Sequence, residues 1–93
     1  MSTSLRAQIE SVREMKEYIR LTILEVGALK ENVHSGLQCF RGQGLTEEFA
    51  DEFEGPLYMG DVYSRLDGLT EKMMKCDYAF LDEIEARLNQ ALD

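Results

Sequence analysis

Phe40-Arg41-Gly42-Gln43-Gly44 divides the chain into two long helix-patterned halves, and the fold turns on reading this stretch as a reversal. Its two glycines can take the positive φ of a tight turn, a conformation that a Cβ makes costly. The turn is expected at about residues 40–45. Phe40 continues the apolar stripe of the preceding segment and is expected to plug the end of a helix pair.

Before the turn, Leu5, Val12, Ile19, Val26, Val33 and Phe40 recur every seven residues. Ile9, Met15, Ile23, Leu29 and Leu37 fill the steps of three or four between them. Sustained over about five heptads, this spacing predicts a long helix packed lengthwise on another helix. It should run from about residue 4 to about residue 38, with Ser2, Thr3 or Ser4 as its cap and Gly36 near its frayed end.

After the turn, Thr46-Glu47-Glu48-Phe49 reads as a cap followed by first-turn carboxylates, and predicts a short helix over about 46–53 with Phe49 and Phe53 on one face. Gly55-Pro56 then breaks the pattern, because proline removes a backbone donor and clashes with the preceding turn. Residues 54–60 are a kink or an interruption, with Asp61 as the next cap. Periodicity resumes with Val62, Leu66, Leu69, Met73, Cys76, Phe80, Ile84, Leu88 and Leu92, predicting a helix over about 61–90. No window alternates with period two. The expected fold is all-α: one domain over residues 1–93, an antiparallel helical hairpin whose second helix is interrupted near Gly55-Pro56.

The first helix is unusual in its middle. Between Tyr18 and Leu29 the only charges are Arg20 and Glu25, and Leu21, Leu24 and Ala28 lie away from the main stripe. A surface helix is normally polar there. Two packing partners are implied, and a two-helix hairpin supplies one. The second is a separate molecule seated on Tyr18, Leu21, Leu24 and Ala28, forming a four-helix bundle, or else residues 45–60 folding back.

Charge narrows the partners. The net charge is −8, made of +1 over residues 1–44 (six Lys/Arg, five Asp/Glu) and −9 over residues 45–93 (four against thirteen). Such a balance argues against nucleic acid, which needs a basic footprint, and against anionic membrane surfaces. The acidic half is either a solvated face or a steering surface for a basic partner. No apolar run approaches the roughly 20 residues that cross a bilayer, so no membrane insertion is expected. Met1-Ser2-Thr3-Ser4-Leu5-Arg6 does not read as a secretory leader. Synthesis in the cytoplasm is expected, with any export by a route that reads no cleaved leader.

Little of the chain suggests chemistry. His34 and Cys39, five residues apart, point about 140° apart around a helix, which disfavours a nucleophile pair. Glu47, Glu48, Asp51, Glu52 and Glu54 lack the alternating spacing of a calcium loop. Cys39 and Cys76 have no metal-ligand spacing, and in a hairpin they stand too far apart for a bridge. Cys76 lies on the apolar stripe and is expected in the core. No enzyme activity, metal or cofactor is expected.

Length, turn placement and two short motifs together carry a resemblance. Phe40-x-Gly42 stands at the turn, and Tyr78-x-x-x-Asp82 lies near the end of the second helix. The chain resembles the WXG (ESAT-like) family, small helical hairpins exported by type VII secretion systems of Gram-positive bacteria. Phe40 replaces that family's usual Trp, Gly55-Pro56 interrupts the second helix, and a helix-patterned segment follows Asp82, so a divergent member is implied. One such branch is the small helical partners of LXG toxins. The resemblance implies a similar hairpin, or the N-terminal helices of an LXG toxin, as partner, and a secretion ATPase that reads Tyr78 and Asp82. Beside it stand two other readings: a cytoplasmic coiled-coil adaptor or chaperone, and a homodimeric structural hairpin. In those, Tyr78 and Asp82 are an ordinary i,i+4 pair.

Overall fold

A computed structural model of the chain describes residues 4–92, Leu45 and Thr46 by backbone alone. The chain is all-helical, and no strand occurs among the described residues. Its helices are α1 (Leu5–Gln38), α2 (Leu45–Phe53), α3 (Met59–Lys72) and α4 (Ala79–Leu92), with a π-helical turn, Met73–Tyr78, joining α3 to α4. Two compact units result: Met1–Ile23 with Glu71–Asp93, and Leu24–Thr70.

Local chemistry sets the helix ends. Ser4 caps α1: its Oγ accepts from the Ala7 N–H at 3.1 Å. Ser2 and Thr3 lie outside the described residues. At the other end the Cys39, Phe40 and Arg41 N–H groups bond back three residues, tightening the last turn. Gly42 and Gly44 follow at φ 87° and 61°. Gly44 is the N-cap of α2, so that helix opens at Leu45, ahead of the expected Thr46 cap, whose side chain lies outside the described residues. Beyond α2, the N–H groups of Tyr58 and Gly60 both donate to the Gly55 carbonyl. A Cβ on Gly60 would stand 2.5 Å from that oxygen, so only glycine lets the chain pass. Helix α3 therefore begins at Met59, and Asp61 is in its first turn, paired with Arg65 at 2.9 Å, instead of capping it.

The apolar stripe of α1 departs from its expected course at two places. Met15 and Leu29 are half exposed, while Lys16 and Lys30 take their seats in the inward row. That row is Ile9, Val12, Lys16, Ile19 and Ile23 in the first unit, and Val26, Lys30, Val33 and Leu37 in the second. Steps of three and four alternate strictly through it. Phe40 stands beyond the helix end and is 49 % exposed.

The π turn redirects the second stripe. A π turn winds one residue more than an α turn and so moves the inward face along the chain by one position. Before the π turn the inward row is Met59, Tyr63, Leu66 and Thr70, while Val62 and Leu69 face out. After it, Leu81 is buried at 6 % exposure and Phe80 stands out at 60 %. Cys76 lies inside the π turn and is exposed, not a core residue. Among the described residues, Ile9 and Leu81 are the buried apolar residues of the first unit, and Ala50 is that of the second.

Candidate functional site

Tyr78 and Asp82 lie four residues apart across the π turn and the start of α4, and the fold places Lys16 of α1 against both. The Lys16 ammonium stands 5.0 Å from the Tyr78 ring centroid and bonds the Asp82 carboxylate. It also reaches Glu85 Oε1 at 2.9 Å, while Arg13 holds Glu85 Oε2 at 2.9 Å. Ring, ammonium and carboxylates form one node in which the Lys16 side chain is only 14 % exposed. Hydrogen bonds to Asp82 and Glu85 push the Lys16 pKa well up, against burial, which acts the other way. Arg13 first, then Lys16, hold the Glu85 carboxyl below the usual carboxylate range.

A second node stands in the other unit. Lys30 lies 5.7 Å from the Tyr63 ring centroid and bonds Asp67 Oδ1 at 2.6 Å. The two nodes are spelled alike, Tyr63-Ser-Arg-Leu-Asp67 and Tyr78-Ala-Phe-Leu-Asp82, and their lysines stand 30 − 16 = 14 residues apart on α1. The tyrosines stand 78 − 63 = 15 residues apart. Tyr63 has a further tie: its hydroxyl donates to Glu54 Oε2 at 3.1 Å, and His34 Nδ1 bonds the same carboxylate at 2.9 Å. His34, followed by Tyr63, lowers the Glu54 pKa against burial. Arg41 holds Asp51 at 2.7 Å and pins α2.

Sequence reasoning found Tyr78 and Asp82 but missed their cation, and missed the second node entirely. The signal was present. Lys16 and Lys30 fall on the strict three-four row, and Tyr-x-x-Leu-Asp occurs twice. Lysine in a helix-pairing seat is readily passed over, because a stripe is sought among apolar residues.

The expected partner face is open. Tyr18 and Leu21 in the first unit are 60 % and 41 % exposed, and Leu24 in the second is 57 % exposed, with Ala28 exposed as well. The Tyr18 hydroxyl donates to Glu14 at 2.8 Å. Cys39 and Cys76 are free thiols. Among the described residues no group of three or more His, Cys, Asp or Glu could hold a metal ion, and no helix is long and apolar enough to cross a membrane. The nodes are thus suited to fixing helices and presenting charge. No protein-family model, curated protein or solved structure matches the chain.

Proposed function

We propose that this chain is a non-catalytic binding protein, a helical hairpin that pairs with a second helical protein in a four-helix bundle. The observation that carries the reading is the balance of apolar surface. Among the described residues, Ile9, Ala50 and Leu81 are the buried hydrophobics, while Tyr18, Leu24, Phe49, Phe53 and Phe80 lie open. Surface of that kind on a single chain marks an interaction site. The exposed face of α1, with Tyr18, Leu21, Leu24 and Ala28, is the interface in this reading.

The WXG resemblance, with Phe40-x-Gly42 and Tyr78-x-x-x-Asp82, supports a type VII secretion role: a substrate or escort made in the cytoplasm of a Gram-positive bacterium and exported without a cleaved leader. The partner is then a similar hairpin or the N-terminal helices of an LXG-type toxin, and a secretion ATPase reads Tyr78 and Asp82. Asp82, with its side chain 60 % exposed, remains accessible while Lys16 holds one of its oxygens.

Two experiments separate binding from export. Leu21→Asp with Leu24→Asp should abolish co-purification of the partner while helicity is kept; retained binding would move the interface elsewhere. Tyr78→Ala and Asp82→Asn should stop export of a complex that still forms. A second reading, a cytoplasmic adaptor with no export role, draws on the engagement of Tyr78 and Asp82 by Lys16 within the chain. Unchanged export of both variants would favour it.

A further inference from the structure

Helix α2 and the turn behind it carry a surface that neither reading assigns to a partner. Phe49, Glu52, Phe53 and Tyr58 line an open groove of about 210 Å³. Its three aromatic residues are 56 %, 44 % and 52 % exposed in chain order. On the opposite side of α2 Ala50 is 2 % exposed, and Arg41 bonds Asp51, whose side chain is itself 86 % exposed.

The segment that carries the groove is acidic. Residues 45–64 contain six carboxylates, Glu47, Glu48, Asp51, Glu52, Glu54 and Asp61, and no Lys or Arg. Three of them have partners: Asp51 in Arg41, Asp61 in Arg65, and Glu54 in His34 and Tyr63. Glu48 and Glu52, exposed on α2 with Glu52 lining the groove, bond no cation among the described residues. Glu52 thus brings an unpaired carboxylate to the aromatic groove.

We propose that this groove is a docking site for a cationic amphipathic helix of another protein. Apolar anchors at i, i+3 or i+4 would fill the space between Phe49, Phe53 and Tyr58, and flanking Lys or Arg would meet Glu48 and Glu52. Charge complementarity selects this occupant. A second copy would set one acidic rim against another in a chain of net charge −8, an arrangement that like charges oppose. The inference is independent of the export reading and uses neither the α1 face nor Tyr78.

The test is a titration of the isotope-labelled full chain followed by NMR. The probe is a synthetic peptide of about 18 residues, long enough for five helical turns, with leucines at helical spacing flanked by lysines. Its control has glutamates in place of the lysines. The lysine peptide should shift amide signals of residues 47–58 and bind at least about tenfold tighter than the control, an advantage that shrinks toward about 0.5 M salt. Phe49→Ala with Phe53→Ala should weaken binding at least about tenfold with helicity kept, since both side chains are exposed. Glu48→Lys with Glu52→Lys should reverse the peptide preference. Equal affinity for the two peptides, shifts confined to α1, or self-association of the free chain that Phe53→Ala abolishes would overturn the proposal.

Discussion

The two lysine nodes share residues but not surroundings. In the first unit Lys16 meets Tyr78, Asp82 and a second carboxylate, Glu85, itself held by Arg13. Three residues before Lys30 stands Gly27 where Arg13 precedes Lys16, and three after Asp67 stands Thr70 where Glu85 follows Asp82. Lys30 therefore keeps one carboxylate, Asp67, and its side chain is 30 % exposed against 14 % for Lys16. Coulomb attraction grows as water is excluded, whereas exposed pairs contribute only about 0–1 kcal/mol. The same five-residue word thus has different weight in the two places, and its neighbours decide which. The first unit gathers Arg13, Lys16, Asp82 and Glu85 into one network, whereas the second leaves Glu52 beside the open aromatic residues of α2.

The largest effect that can test this contrast lies at the π turn. Leu81→Ala removes a side chain only 6 % exposed and should destabilise the first unit by about 2–4 kcal/mol in urea unfolding. Phe80→Ala removes a larger side chain that is 60 % exposed and should cost less than about 1 kcal/mol. If the phenylalanine proves the more costly, the stripe runs as simple α spacing predicts, and the inward shift after Met73–Tyr78 is wrong.

That pair also shows where sequence reading ended. All-helical character, the cap at Ser4 and the glycines at Gly42 and Gly44 were legible, because each rests on local chemistry. The inward register at residues 76–81 was not, although Met73, Ile84 and Leu88 of the expected stripe do lie on the inward side. Apolar residues at both 80 and 81 fit a helical stripe, and only the extra residue of the π turn chooses Leu81. At the site, Tyr78 and Asp82 were legible as an i,i+4 pair. Lys16 was not, since a charged side chain in the inward row counts against a stripe until its carboxylates are placed beside it. The open face at Tyr18, Leu21 and Leu24 was readable because it depends on composition around one helix alone.

The next effect in size compares the lysines directly. Lys16→Ala leaves Glu85 and Asp82 gathered with Arg13 alone and should cost about 1–3 kcal/mol. Lys30→Ala, at the more exposed node, should cost about 0–1 kcal/mol. Lys16→Met, which fills the seat without charge, should recover most of the loss only when combined with Glu85→Gln. Double-mutant cycles of Lys16 with Asp82 and of Lys30 with Asp67 measure the two couplings. Equal couplings would remove the contrast.

Acid should reveal it more gently. Glu85 and Glu54 both have folded pKa values below the ordinary glutamate value, so each contributes stability above about pH 4.3 that is lost as pH falls through its folded value. For Lys16, raised in the folded chain, the contribution is complete below about pH 10.4 and is lost as pH rises through its folded value. The melting temperature should therefore hold through neutral pH and fall at both extremes. Glu85→Gln should flatten the acid limb, and Lys16→Met the alkaline one. An acid limb unchanged by Glu85→Gln and by Glu54→Gln would show that these carboxylates are not the source.

The smallest effect asks whether the weaker node can be made like the stronger. Gly27 is a glycine inside α1, and a Cβ there would meet nothing within 4 Å. Gly27→Ala should therefore stabilise by about 0.5–1 kcal/mol through the unfolded chain alone. Gly27→Arg with Thr70→Glu places the first unit's extra cation and carboxylate at the corresponding positions around Lys30 and leaves net charge unchanged. Its gain over Gly27→Ala, expected at about 0.3–0.5 kcal/mol, isolates the added charges from the loss of glycine, once Thr70→Glu alone is subtracted. A surplus that vanishes in high salt would assign the difference between the nodes to electrostatics. A surplus absent at every salt concentration would assign it to burial, which these two substitutions leave untouched.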